Sequence, residues 1–204
     1  MMKKEVSPIT PIESRGLRMS ANRHSAALSV EPAISARAID ERVSELARQI
    51  SQDYRDADDS PLIVIGVLKG AWVFVADLVR KLSIPLRCEF VRISSYGDST
   101  RSSRNPRLLL DVTEPVSDRD ILIVDDILDT GISLEWLIQH FAARHPRSLR
   151  TCVLLDKPAR REVNVHPDYV GFDIPDRFVV GYGIDCAEQF RELPYIGFVN
   201  PDAD

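Results

Sequence analysis

Apolar positions in this chain follow two different periods. Ile39, Val43, Leu46, Ala47, Ile50 and Tyr54 recur at helical steps, which predicts a helix with one buried face. Ser35 stands ahead of it as the expected N-cap. Asp58, Asp59, Ser60 and Pro61 break that helix, and residues 62–67 then read Leu-Ile-Val-Ile-Gly-Val. A continuous apolar run bounded by turn residues is the pattern of a strand buried on both faces. A helix is predicted over 71–82 and a strand over 86–93, beyond Pro85. Further strands are predicted over 108–112, 121–124 and 149–155, with a helix over 132–143. Short strands are expected at 169–172, 178–181 and 195–199. No internal repeat is visible.

Strands alternating with helices predict an α/β fold, a mostly parallel twisted sheet flanked by helices. Ligands in such sheets bind at the carboxyl ends of the strands. Residues 1–33 are polar and rich in Pro and Ser, and are expected to form a mobile tail, leaving 34–204 as a single domain. Met19 lies inside that tail and is a candidate alternative start. Residues 94–106 form a long polar stretch of the kind that serves as a lid or binding loop.

Composition narrows the classes. With 204 residues and 44% hydrophobic content, the chain suits one domain with a proper core. A net charge of −5 opposes non-specific nucleic-acid binding. Cys88, Cys152 and Cys186 are odd in number and widely spaced, which suggests neither a disulfide framework nor a zinc site; reduced, buried thiols are expected. The apolar runs are too short to span a membrane, and Met-Met-Lys-Lys is not followed by an apolar signal core, so a cytoplasmic protein is expected. His24, His140, His145 and His166 show no ligand spacing and are expected at the surface.

Residues 121–134 read Ile-Leu-Ile-Val-Asp-Asp-Ile-Leu-Asp-Thr-Gly-Ile-Ser-Leu. A buried strand would deliver Asp125 and Asp126 to the ligand edge, and Asp129, Thr130, Gly131 and Ser133 would turn into a helix N-terminus. Free N–H groups, the helix dipole and a glycine that permits close approach suit a phosphate there. The carboxylates would then serve vicinal hydroxyls, a metal ion or a proton to be abstracted. A merely capped helix would account for one acidic residue better than for three. A response-regulator receiver domain also opens with an apolar strand ending in two Asp, but the 78 residues after Asp126 hold too few helix-length segments for it.

This segment resembles the phosphoribosyl pyrophosphate (PRPP) motif of type I phosphoribosyltransferases. Leu154-Leu155-Asp156-Lys157-Pro158-Ala159-Arg160-Arg161, the run from Asp168 to Asp185, and Phe190-Arg191-Glu192-Leu193-Pro194-Tyr195-Ile196-Gly197 are similar to segments of the hypoxanthine-guanine members. The resemblance covers roughly residues 34–200 in unbroken order. It implies the type I fold with a small C-terminal hood, and transfer of the phosphoribosyl group from PRPP to hypoxanthine or guanine with release of pyrophosphate.

The same resemblance implies roles. Asp125 and Asp126 would hold the ribose hydroxyls, directly or through Mg²⁺, and Asp129 would be the general base at purine N7. Thr130, Gly131, Ile132 and Ser133 would cradle the 5′-phosphate. Lys69, preceded by a cis peptide, and Gly70 would contact pyrophosphate together with Arg191. Ser95 and Tyr96 would belong to the lid. Lys157 would donate to the 6-oxo group, Phe178 would stack on the base and the Val179 backbone would read its edge. Asp185 would bind a second Mg²⁺. A homo-oligomer, dimer or tetramer, is also implied, with no nucleic-acid or membrane partner. Ile132 replaces a lysine found in some relatives, and Cys186 stands where an aromatic residue is common.

Simpler roles stand beside these. Lys69 could be a solvated loop lysine, Phe178 plain core and Asp185 a helix cap, while Arg160 and Arg161 read best as an exposed basic face. The nearest rivals are a xanthine-preferring transferase and an RNA-binding regulator on the same fold; the acidic balance opposes the second. A lysine has only donors, so Lys157 would reject adenine without sorting the three 6-oxopurines. With stiff Ile184 beside position 2, hypoxanthine is expected to serve at least as well as guanine, and xanthine poorly.

Overall fold

In the computed structural model, residues 29–55, 60–94 and 106–200 are described. Six strands form the main sheet: β2 (Leu62–Leu68), β3 (Leu86–Ser94), β4 (Arg107–Leu110), β5 (Asp120–Leu128), β6 (Ser148–Asp156) and β7 (Tyr169–Asp173). Their order is β4-β3-β2-β5-β6-β7, all parallel except the antiparallel edge strand β4. The continuous apolar runs pack on both faces, as expected. Val64, Leu122, Val124 and Leu154 meet helices α1 (Ala36–Asp53) and α2 (Trp72–Lys81), while Ile63, Ile65, Ile121, Ile123 and Val153 meet α3 (Ile132–Ala142).

Helix α1 begins where its cap predicts, with the Ala38 N–H donating to Ser35 Oγ at 3.2 Å. All six of its periodic apolar residues are buried.

A second, three-stranded antiparallel sheet has the order β1 (Ser29–Ile34), β9 (Ile196–Asn200), β8 (Val179–Val180). This is the expected hood with one correction. Its outer strand comes from residues 29–34, mostly assigned to the tail by sequence. The segment Ser-Val-Glu-Pro-Ala-Ile is mostly exposed and carries a proline, so it has no apolar period to read. An edge position tolerates Pro32, where the ladder shifts register.

The parallel strands reverse their winding beside β2. From β2 the chain crosses through α2 to β3 on one side, and β5 then pairs on the other side. The gap between the carboxyl ends of β2 and β5 is therefore the switch point, where open parallel sheets leave a crevice. The end of β2 delivers Leu68, Lys69 and Gly70 there, and the end of β5 delivers the acidic pair.

Candidate active site

Strand β5 does not stop at the acidic pair. It runs to Leu128, because β6 continues to pair with it through Ile127↔Leu155 and Leu128↔Asp156. Asp125 is consequently buried and Asp126 partly buried. The Asp126 N–H donates to Asp125 Oδ1 at 3.0 Å. Burial pushes the Asp125 carboxyl well above the usual carboxylate range, and the Asp126 charge pushes it further. Burial raises Asp126 as well, offset in part by bonds to Asp125 and to backbone N–H groups and by the field of Arg191. A pair so placed resists carrying two negative charges unless a cation or hydroxyl groups meet it.

Gly70 closes the other side of the crevice. A Cβ on it would overlap the Asp126 carboxylate, so only glycine lets the β2 loop lie against the acidic pair. The Leu68–Lys69 peptide is cis. Lys69 Nζ pairs with Glu188 at 2.9 and 3.0 Å. Arg191 pairs with Asp185 at 2.7 Å, approaches Glu188 at 3.4 Å and donates to the Gly183 carbonyl at 2.7 Å. The Glu188 N–H donates to Asp185 Oδ2 at 2.8 Å. Both cations assigned to pyrophosphate thus share one acidic neighbour, Glu188, which sequence reasoning missed. It stands three residues before Arg191 in a loop without apolar period, and its partner Lys69 is 119 residues away.

Asp129 follows β5 and Lys157 follows β6. The register Leu128↔Asp156 therefore sets them side by side at adjacent strand ends, and the Lys157 N–H donates to the Leu128 carbonyl at 3.0 Å. Lys157 is buried at 6% exposure, with no carboxylate partner among the described residues. Thr130 leads into Gly131, whose φ of +88° ends the turn in the left-handed region before α3. The Ile132 N–H lies 3.5 Å from Thr130 Oγ1, and Ser133 is in the first turn of α3. The turn is a backbone cradle at the positive end of an 11-residue helix.

Phe178 is 55% exposed, which removes the plain-core alternative and leaves a ring free to stack. Val179 and Ile184 are buried. Ser95 and Tyr96, with the body of the expected lid, lie outside the described residues.

Arg160 is exposed, as expected, but ion-paired, while Arg161 departs from the expected exposed basic face. Arg160 Nε donates to Asp129 Oδ1 at 3.1 Å and lies 3.7 Å from Asp176 Oδ1. Arg161 is largely buried, pairs with Asp156 and donates to the Asp129 backbone carbonyl at 2.6 Å. Two further expectations are corrected. Cys88 is exposed on β3, next to the sheet's edge strand. His140 is partly buried, stacked on Trp136 with centroids 4.9 Å apart and lying 3.4 Å from Asp111.

An acidic pair and an Asp-Thr-Gly turn thus lie at the switch point, with a lysine loop opposite. The family profile "Phosphoribosyl transferase domain" matches residues 34–187. The hypoxanthine-guanine phosphoribosyltransferase of Mycobacterium avium is 48% identical over 171 residues, covering 82% of this chain and 84% of the relative. The hypoxanthine phosphoribosyltransferase of Salmonella typhimurium is 44% identical over 171 residues, covering 84% of this chain and 96% of the relative. Among solved structures, a hypoxanthine-guanine phosphoribosyltransferase from Bacillus anthracis with HEPES in its active site superposes with TM-score 0.77 at 44% identity, covering 83% of this chain and 98% of that one. A hypoxanthine phosphoribosyltransferase variant from Trypanosoma cruzi in a ternary substrate complex gives TM-score 0.80 at 39% identity, covering 84% and 95%. This chain belongs to the phosphoribosyltransferase family, in its hypoxanthine-guanine branch.

Proposed function

We propose that the chain salvages purines by moving the 5-phosphoribosyl group from PRPP to hypoxanthine or guanine, giving IMP or GMP and pyrophosphate, with Asp129 as base. The observation that carries the residue assignment is the register that sets Asp129 and buried Lys157 side by side beyond Leu128 and Asp156.

The ring nitrogen of a 6-oxopurine becomes more nucleophilic as it loses a proton. Asp129, 40% exposed at the end of β5, accepts that proton. Lys157 donates to the 6-oxo oxygen, where negative charge gathers, and adenine offers it no acceptor there. Phe178 covers one face of the base. The turn from Thr130 to Ser133 holds the 5′-phosphate. Asp125 and Asp126 take the ribose hydroxyls. As the bond from the anomeric carbon to pyrophosphate breaks, the sugar becomes oxocarbenium-like. Lys69 and Arg191 stabilise the charge on the departing oxygens. The lid assigned to residues 94–106, Ser95 and Tyr96 included, keeps water from the cationic sugar.

The donors fit Mg²⁺. It favours one or two carboxylates completed by substrate phosphates and water, and no group of three or more His, Cys, Asp or Glu side chains converges among the described residues. Asp125 and Asp126 would hold it, and Asp185 would hold a second ion after releasing Arg191. Mg²⁺ supplies neutralisation of the leaving pyrophosphate.

The same reading carries a cytoplasmic homo-oligomer, dimer or tetramer, with neither nucleic acid nor membrane as partner. Exposed Trp72, Leu109 and Leu110 support an oligomer. No helix among the described residues is long and apolar enough to cross a membrane. Sedimentation at working concentration checks this assembly, and a monomer there would remove it.

The decisive experiment measures kcat/KM for hypoxanthine, guanine, xanthine and adenine at saturating PRPP, for wild type and Asp129→Asn. Hypoxanthine should serve at least as well as guanine, with xanthine poor and adenine inactive. The variant should keep PRPP affinity and lose about 10²–10⁴ in kcat. An unchanged kcat would remove Asp129 from the base role, and a preference for xanthine would reassign the pocket around position 2.

A further inference from the structure

Among the described residues, Arg160 touches the candidate base without belonging to any part of the reaction described above. It sits in the short 3₁₀ turn Pro158–Arg160, directly after Lys157. Its Nε donates to Asp129 Oδ1 at 3.1 Å, and the same nitrogen lies 3.7 Å from Asp176 Oδ1. Asp176 stands two residues before Phe178. One guanidinium therefore links the loop that carries the base to the segment that carries the stacking ring. Asp129 takes the hydrogen bond, and Asp176 acts on the same guanidinium through its charge at 3.7 Å.

We propose that Arg160 is a positioning residue for purine proton transfer: it holds Asp129 by Oδ1, leaves Oδ2 to meet the base, and uses Asp176 to set the spacing between Asp129 and Phe178. The inference rests on the assignment of Asp129 as base. The charged groups around Asp129 are Arg160 at its carboxylate, Arg161 at its backbone carbonyl and Lys157 at the neighbouring strand end; Asp176 and Glu162 add their charges around Arg160. With Arg160 present, the carboxylate is held in orientation. Without it, Asp129 turns freely about its side-chain bonds. The phosphate cradle touches Arg160 at no described contact, so PRPP binding should be spared.

The test uses Arg160→Gln, Arg160→Lys and Asp129→Asn, alone and combined, with kcat and both KM values. Arg160→Gln should lower kcat about 3- to 30-fold, a fraction of a general base's whole contribution. It should leave KM for PRPP within about twofold. Arg160→Lys should restore only part of kcat. In the Asp129→Asn background, Arg160→Gln should add nothing, because the group it positions is gone. Wild-type kcat in Arg160→Gln would overturn the proposal. So would an equal loss in the Asp129→Asn background, which marks a structural role. If Asp129→Asn itself keeps kcat, the reading of Asp129 as base fails, and the positioning role falls with it.

Discussion

Replacing Arg161 with Met should destabilise the protein, and replacing its partner as well should restore it. Arg161 and Asp156 are a buried pair, with side chains 15% and 12% exposed. Removing the guanidinium leaves the Asp156 carboxylate largely buried without its ion-pair partner. Breaking a buried pair from one side costs about 3–5 kcal/mol. For a domain of this size each kcal/mol lowers Tm by roughly 2–4 °C, so a fall of about 6–20 °C is expected. Replacing both charges with apolar groups of similar volume is often neutral. The double variant Arg161→Met, Asp156→Leu should therefore recover most of the lost Tm. Activity should not recover with it, because the Asp129 carbonyl loses its donor at 2.6 Å and the base-carrying loop loosens. Thermal unfolding and kcat of the wild type, both singles and the double give a complete cycle. A single variant within about 1 kcal/mol of wild type, or a double as unstable as the single, would refute the buried-pair argument.

Glu188→Gln should lower KM for PRPP about two- to fivefold, the scale of exposed ion pairs. It frees Lys69 and Arg191 from a carboxylate that PRPP must displace; initial rates at varied PRPP check this, and a raised KM would count against it. Asp120 is held below the usual carboxylate range, chiefly by its bond from Arg147. A depressed folded value means that its stabilisation is full above the ordinary Asp range near pH 4 and is lost as pH falls through the folded value. The Tm gap between wild type and Asp120→Asn should thus be wide at pH 7 and narrow as pH falls below the ordinary Asp range; a constant gap would contradict the assignment. Activity should disappear in excess chelator and return with Mg²⁺, because buried carboxylates and a polyphosphate cannot share a crevice without a cation. Full activity in chelator would rule that out.

The centre of the main sheet was legible because β2, β5 and β6 carry unbroken apolar runs buried on both faces. Strand β1 was not, since an exposed edge strand with a proline satisfies its ladder without apolar side chains. The acidic pair marked the site but obscured the end of its own strand. Ile127 and Leu128 pair on past two carboxylates, and only the partner register shows it. Contacts set by long sequence separation were the least readable. Lys69 gave no hint of Glu188, exposed Arg160 gave none of Asp129, and Arg161 read as solvent-facing until its partner Asp156 was placed.

The cations of the site share one electrostatic logic. In the described structure Lys69 lies on Glu188, Arg191 on Asp185 and Glu188, and Arg160 on Asp129 and Asp176. Only Lys157, the donor assigned to the purine, is buried without an acidic partner among the described residues. On the proposed assignments, binding of PRPP would be an exchange of anions on cations already placed, so its affinity would be a difference between two sets of pairs. The acidic pair would do the reverse. Asp125 and Asp126 resist carrying two charges, and a cation or a ribose diol would ease that. Binding energy would then be drawn from relief at the sugar and spent on separating ion pairs at the pyrophosphate. Changes on the pyrophosphate side, such as Glu188→Gln, should therefore tighten PRPP, while neutralising Asp125 should weaken it even where the fold gains stability.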